Sequence, residues 1–230
     1  MVGGALVATL GSLLYPAMLG FQKVTSAPER VIATPATGPL TEADRDFVVE
    51  VRSAGLWEYP VGQMALRKGT TKAVRTAAQH LIEGHASLDA ASRRVAAQLA
   101  ITLPNQASPQ QQGFVTTLNG DSGQQFATDM ATILRATDGR FLSTIASIRT
   151  TTRNSLVRSL ADAANDTVLD NVTVLEQTGR VDFSQVIAQE TSTSKLPARS
   201  VTPPPPVAGQ PQVVLTPPTT GTASPSPSVR

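Results

Sequence analysis

Apolar residues in the middle of the chain recur with an alternating spacing of four and three, which is typical of helices that pack in bundles. Four runs show this spacing: Phe47, Val51, Ala54, Glu58, Val61 and Ala65; Val74, Ala78, Leu81, His85, Leu88, Ser92, Val95 and Leu99; Ala127, Ala131, Leu134, Asp138, Phe141, Ile145 and Ile148; and Val157, Leu160, Ala164, Thr167, Asn171 and Val174. This spacing gives each helix one stripe that faces its neighbours in a left-handed bundle. Alternation of period two is not sustained anywhere, so the pattern predicts an all-α fold.

Capping signals give the limits of the predicted helices. Thr41 followed by Asp44 has the spacing of a capping box, and it predicts a first helix that ends near Lys68, before Gly69. Similar signals predict helices from Thr71 to about Leu99, from Ser108 to near Gly120, from Ser122 to about Thr150, and from about Asn154 to Thr178. Pro60 lies inside the first helix and is expected to bend or restart it. We therefore predict an antiparallel four-helix bundle with one short extra helix.

The two ends of the chain differ in composition from this bundle. Residues 1–22 carry no charged side chain, and an apolar run of this length can span a bilayer or serve as the core of a signal peptide. A buried core helix is the alternative, which the glycines and Pro16 of this segment disfavour. From residue 191 onward, Pro, Ser and Thr dominate, and few large apolar side chains can offset the entropy of ordering. We expect a signal peptide or membrane anchor in residues 1–27, a linker in 28–39, the helical domain in 40–190 and a disordered tail in 191–230.

Composition and charge narrow the classes of function. The chain has no cysteine, which excludes disulfides, thiolate metal sites and thiol nucleophiles. The net charge is only +2, and Lys and Arg do not cluster with aromatic residues, so we expect no nucleic-acid partner. There is no Ser/His/Asp order and no glycine-rich phosphate loop, so we do not expect an enzyme. The expected location is extracytoplasmic, membrane-anchored or secreted, with the membrane and an unknown envelope protein or cell-wall component as partners.

One strongly polar residue interrupts each apolar stripe: Glu58, His85, Asp138 and Asn171. Each lies about fifteen residues, or roughly 22 Å, from the start of its helix, so the four should converge at one depth in an antiparallel bundle. One interpretation is a polar network that sets the register of the helices, with a His85 proton shared between Glu58 and Asp138. A second is a weak mononuclear metal site, in which Glu58, His85 and Asp138 bind a single divalent ion and Asn171 is a neighbour. Proton or redox chemistry is a third.

Several short motifs in this region also occur together in a known family. They read LTEADRDFV from Leu40, AGLWE from Ala54, GQMA from Gly62, HLIEGH from His80 and LP from Leu103. In order and spacing, from about Leu40 to Gly179, they resemble the domain-of-unknown-function 4142 family of bacterial exported and membrane proteins. The resemblance implies a ferritin-like helical bundle without a securely assigned activity.

The resemblance also bears on the metal hypothesis. Family members typically carry histidines in the later long helices, where this chain has Asp138 and Asn171. If the family pattern is a metal site, this chain would carry a weakened copy, because an amide is a poor ligand. We therefore expect a structural or binding role in the bacterial cell envelope, and a metal-binding or oxidative-stress protein is the alternative.

Overall fold

A computed structural model of the chain describes residues 29–191 and 196–218. The elements in these residues are β1 (Val31–Ala33), β2 (Leu40–Thr41), α1 (Glu42–Lys68), α2 (Lys72–Leu99), α3 (Pro109–Gly120), α4 (Gly123–Thr151), α5 (Ser155–Gln177), α6 (Phe183–Thr191) and α7 (Ala198–Val201). The predicted all-α helical bundle is confirmed, since four long helices dominate and the sheet of the described residues contains only two short strands. Where the sequence predicted one short extra helix, the described residues contain three: α3, α6 and α7.

The N-terminal prediction falls outside this part of the chain. Residues 1–27, for which we expected a signal peptide or membrane anchor, are not among the described residues. Among the helices that are described, none combines the length and the apolar character needed to cross a membrane.

The four long helices form a closed ring in which α1 packs on α2, α2 on α5, α5 on α4, and α4 on α1. Two apolar clusters fill its interior. One contains Phe47, Leu88, Ile145 and Leu160, and the other contains Trp57, Leu81, Leu134 and Leu175. Along the chain, α1 and α5 pass from the first cluster to the second, whereas α2 and α4 pass from the second to the first. Neighbours in the ring are therefore antiparallel.

The connection between α2 and α4 distinguishes this bundle from a simple up-and-down one. Because α2 and α4 run in the same direction, residues 100–122 must cross the length of the bundle, and they contain α3. A bundle with one such long crossover has the connectivity of ferritin-like folds.

Side-chain caps begin four of the five helices α1 to α5 as the sequence predicts; the exception is α4, where Ser122 makes no side-chain cap hydrogen bond. The Thr41 hydroxyl accepts a hydrogen bond from the Asp44 amide (3.1 Å), and the Asp44 carboxylate accepts one from the Thr41 amide (2.9 Å). Ser108 and Gln111 form the same reciprocal pair at the start of α3. Pro60 does not interrupt α1, which runs as one helix to Lys68. These caps satisfy backbone donors that the first turn of a helix otherwise leaves free.

Residues 31–39, expected to be part of a linker, belong to a small hairpin. β1 pairs antiparallel with β2, and the turn between them contains Gly38 at a φ of 108°. The Asn154 side-chain amide donates hydrogen bonds to Thr37 Oγ1 (3.1 Å) and to the Gly38 carbonyl (2.9 Å). The hairpin is therefore fixed to the turn between α4 and α5. The sequence does not predict it, because strands of two and three residues are too short to show a pattern and the contact joins residues far apart in the chain.

Residues 196–218 depart from the expectation of a disordered tail. They form α7 and then an extended segment that lies on the bundle, where the Leu215 side chain is buried and the backbone of residues 211–216 is hydrogen-bonded to side chains of the bundle. The expectation failed here because one apolar residue and a set of backbone contacts offset the ordering entropy. Residues 192–195 and 219–230 of the expected tail lie outside the described residues.

Candidate functional site

The four polar residues of the stripes lie between the two apolar clusters, in the interior of the bundle. Glu58, His85, Asp138 and Asn171 are each no more than 3% exposed. His85 Nε2 lies 2.9 Å from Glu58 Oε2 and 3.5 Å from Asn171 Nδ2. Asp138 interacts electrostatically with both Glu58 and His85. The structure therefore brings the predicted site residues together, and we call this group the polar network.

Burial sets the protonation of the polar network. It raises the pKa of Glu58 to about 8. It lowers the pKa of His85 to about 4, although the nearby Asp138 acts in the opposite direction. Burial, and then the proximity of Glu58, raise the pKa of Asp138 well above its ordinary value. Because a low-dielectric interior disfavours charge, burial favours the neutral form of each of the three groups.

His85 connects three helices through one imidazole. Its Nε2 lies within hydrogen-bond distance of Glu58 Oε2 on α1 and of the Asn171 side-chain amide on α5, and His85 itself belongs to α2. Burial favours the protonated form of Glu58, and in that form its carboxyl donates to Nε2 and the ring proton lies on Nδ1.

The polar network is incompletely satisfied. His85 Nδ1, Asp138 Oδ2 and Asn171 Oδ1 are buried and have no hydrogen-bond partner. An unmet buried polar atom costs about 1–3 kcal/mol, so a small polar guest would be stabilised there. However, within residues 29–191 and 196–218 no three side chains of His, Cys, Asp or Glu are grouped so that they could hold a metal ion. The metal site of Glu58, His85 and Asp138 stays a prediction.

A cavity of about 580 Å³ adjoins the polar network through Glu58. It lies among α1, α3 and α4, and its apolar wall includes Trp57, Phe114 and Phe141. The rings of Trp57 and Phe114 are tilted against each other, with centroids 5.5 Å apart. The rest of the lining includes Glu50, Arg140, residues 201–203 and several Ser, Thr and Gln side chains. This cavity could not be predicted from the sequence because α3 and the tail, which help to enclose it, carry no strong periodic pattern.

A second buried polar group lies on the face formed by α1 and α2. The Arg52 guanidinium forms an ion pair with Asp89, and both side chains are fully buried. Arg93 Nε donates to Asp89 Oδ2 at 2.9 Å, and Arg52 Nε donates to the Pro104 carbonyl at 3.2 Å. Sequence reasoning missed Arg52 and Asp89 because each lies one residue outside its apolar stripe. The available signal was the helical spacing of Asp89 and Arg93, which favours an ion pair.

Fold and site together define a class of protein: an antiparallel helical bundle with one long crossover and a buried polar network across its core. The chain belongs to the family described as "Domain of unknown function (DUF4142)", whose family model matches residues 29–177. The match begins just before β1 and ends at the last residue of α5, so α6, α7 and the extended segment lie beyond it. No curated protein and no solved structure matches the chain.

Proposed function

We propose that the chain is an extracytoplasmic, membrane-associated or secreted helical-bundle protein with a binding or structural role in the bacterial cell envelope. The apolar residues 1–22 support the extracytoplasmic location, because such a segment directs a chain to a membrane. The cavity beside Glu58 carries the binding role, since it is a concave site that combines an aromatic wall with polar groups, as small-molecule sites do.

The lining of the cavity suggests the class of ligand. Trp57, Phe114 and Phe141 offer apolar surface, and at neutral pH the Glu58 carboxyl is an uncharged hydrogen-bonding group at one side. A small, largely apolar molecule with one polar end would bury its apolar part against the rings and direct its polar end at Glu58. The Arg140 guanidinium supplies a charge elsewhere in the lining, and burial, together with the nearby Asp46, raises the pKa of Glu50 to about 7.

Trp57 gives a direct test of binding, because it is the only tryptophan of the chain. Titration with the neutral apolar probe N-phenyl-1-naphthylamine should give saturable energy transfer from Trp57. Ala54 lines the cavity, so Ala54→Leu should weaken binding by about tenfold, whereas Ala97→Leu, the same change at an exposed position, should not. Absence of saturation, or equal binding in both variants, would rule out this cavity as a binding site.

The location is tested separately. The full chain fused at its C-terminus to alkaline phosphatase, which is active only outside the cytoplasm, should give active reporter in a bacterial host. Replacing Leu13 and Leu14 by Arg should abolish the activity, because two charges prevent the apolar segment from entering the membrane. Reporter activity that survives this change would contradict delivery by residues 1–22.

A weak mononuclear metal site is the second candidate. It is supported by the burial of Glu58, His85 and Asp138 together in the core, where Asp138 Oδ2 has no hydrogen-bond partner. An ion held there by Glu58, His85 and Asp138 would supply Lewis-acid or redox chemistry. Elemental analysis of the full chain, purified without chelators, should then find near-stoichiometric metal that is lost in His85→Ala. A folded protein without bound metal would contradict the metal site and favour the interpretation that the polar network sets the register of the helices.

A further inference from the structure

Residues 211–216 are held to the bundle through their backbone. Asn105 contacts the segment twice: Nδ2 donates to the Pro211 carbonyl and Oδ1 accepts from the Val213 amide, both at 3.1 Å. Arg52 Nη2 donates to the Val213 carbonyl at 2.7 Å. These three bonds fix an extended conformation without depending on the side chains of Pro211 or Val213.

The same mode of contact continues toward the end of the segment. The Leu215 amide donates to Asp89 Oδ2 at 3.1 Å, and the Tyr59 hydroxyl donates to the Thr216 carbonyl at 2.8 Å. Arg52, Tyr59, Asp89 and Asn105 therefore supply the polar surface of one groove, and we call it the peptide groove.

A notch in α1 receives the one buried side chain of this segment. Leu215 is 8% exposed, whereas its neighbour Val214 is 52% exposed. The notch exists because residue 55 is glycine: a Cβ placed there would lie 3.1 Å from Leu215 Cδ1 and 3.8 Å from His85 Nδ1. The notch at Gly55 therefore lies next to both the Leu215 side chain and the His85 ring of the polar network.

The groove and its occupant belong to different parts of the chain. All four groove residues fall within the family domain, residues 29–177, and the occupying segment lies beyond it. When the segment leaves, Asp89 keeps its ion pairs with Arg52 and Arg93, so release strands no unpaired charge in the bundle. The groove thus has the character of a binding site with a tethered ligand.

We propose that Arg52, Tyr59, Asp89 and Asn105 form a binding site for an extended peptide, and that its ligand is the chain's own residues 211–216. Binding through backbone hydrogen bonds and one side-chain pocket is an established mode of peptide recognition. The prolines at 211, 217 and 218 favour the extended conformation before docking and so reduce its entropic cost. The proposal goes beyond the envelope role and does not depend on it.

Thiol labelling tests docking in the full chain, which has no native cysteine. Leu215→Cys places a thiol in the notch, and Val214→Cys places a matched thiol on the exposed side of the same segment. With 5,5′-dithiobis(2-nitrobenzoic acid), the thiol at 215 should react about tenfold more slowly than the thiol at 214. Adding Asn105→Ala should remove most of that protection. Equal rates at the two positions would overturn the proposal.

Amide hydrogen exchange measures docking without any substitution in the segment itself. In the unmodified chain, the amides of Val213 and Leu215 should exchange at least about tenfold more slowly than the same amides in Asn105→Ala. Unprotected amides in the unmodified chain would show that the groove does not hold the segment.

Binding of the segment as a separate peptide tests whether the peptide groove is a specific site or only a place where the tail happens to pack. A fluorescent peptide of residues 209–218 should bind saturably to the full chain carrying Leu215→Asp, whose own segment cannot fill the notch. Adding Asn105→Ala should weaken this binding by about tenfold, and a peptide with Asp in place of Leu should not bind. The proposal fails if no saturable binding occurs or if binding is indifferent to Asn105. Thermal unfolding of each variant confirms that the bundle remains folded, and probe binding in the cavity is a separate measurement.

Discussion

The four-helix bundle and the docked residues 196–218 are stabilised in opposite ways. In the bundle, backbone groups are satisfied within each helix, and apolar side chains hold the helices together. In the docked segment, backbone groups of residues 211–216 find their partners on side chains of the bundle, and one residue, Leu215, is buried. The contacts that stabilise the bundle therefore follow from the regular apolar spacing of its helices. The order of the segment depends instead on the bundle surface to which it is hydrogen-bonded.

Truncation of the bundle core should have the largest effect on stability. Leu81 is fully buried in the cluster that contains Trp57, so Leu81→Ala removes apolar contacts and leaves a cavity. We expect a loss of about 3 kcal/mol in the free energy of unfolding, measured by urea denaturation. Leu169→Ala, at a position 47% exposed, is the matched control and should change it little. A loss for Leu81→Ala no larger than that for Leu169→Ala would contradict the placement of Leu81 in the core.

The polar network should give the next largest effect, as a dependence of stability on pH. The folded-state pKa of Glu58 is raised from 4.5 to about 8, so its stabilisation is full below pH 4.5 and is lost as the pH rises through 8. The pKa of His85 is lowered from 6.5 to about 4, so its contribution is present above pH 6.5 and lost as the pH falls through 4. The two effects oppose each other between pH 4.5 and 6.5.

The effect of Glu58 should therefore emerge between pH 6.5 and 8 as a loss of about 2 kcal/mol, at roughly 1.4 kcal/mol per pH unit. Glu58→Gln should remove this share of the loss, and the part due to Asp138, whose pKa is also raised, should remain. Urea denaturation at the two pH values is the measurement. An unchanged loss in Glu58→Gln would show that Glu58 is ionised in the folded chain.

Truncation of Leu215 should affect the docked segment and spare the bundle. Leu215→Ala truncates the buried side chain of the segment, which should cost about 1–2 kcal/mol of docking free energy. Amide protection at Val213 and Leu215 should fall accordingly, while the urea midpoint of the bundle moves by much less than for Leu81→Ala. Parallel losses of both quantities would mean that segment and bundle unfold as one unit.

Gly55→Ala should change stability least, but in opposite directions in the bundle and in the docked segment. Alanine favours the helical state by up to about 1 kcal/mol, so α1 and the bundle should gain stability. The new Cβ would approach Leu215 Cδ1 to 3.1 Å and force the docked side chain to shift, so the segment should lose protection. Higher bundle stability with unchanged protection at Leu215 would contradict the notch as described.

The comparison also explains what the sequence could predict. Helices α1 to α5 were predictable because caps such as Thr41 with Asp44 and the regular apolar spacing act within a few residues of each other. The regular helix lengths also predicted that Glu58, His85, Asp138 and Asn171 meet at one level along the bundle axis. Each of these signals is local, or is repeated along one helix.

The features that escaped prediction depend on contacts between distant residues. The hairpin is fixed by Asn154, more than a hundred positions from Gly38. The docking of residues 211–216 uses backbone atoms, which every residue possesses, so the composition of the tail does not signal it. The scarcity of large apolar side chains in the tail predicted disorder, but it does not prevent an extended chain from docking through its backbone and one leucine.

Asp89 joins three parts of the chain at one carboxylate. Its oxygens contact Arg52 of α1, Arg93 of α2 and the amide of Leu215 in the docked segment. Substitutions at these positions should therefore be epistatic, with the effect of one depending on which residue occupies another. Sequence change in the tail and in helices α1 and α2 would then be coupled in evolution, although these parts lie far apart in the chain.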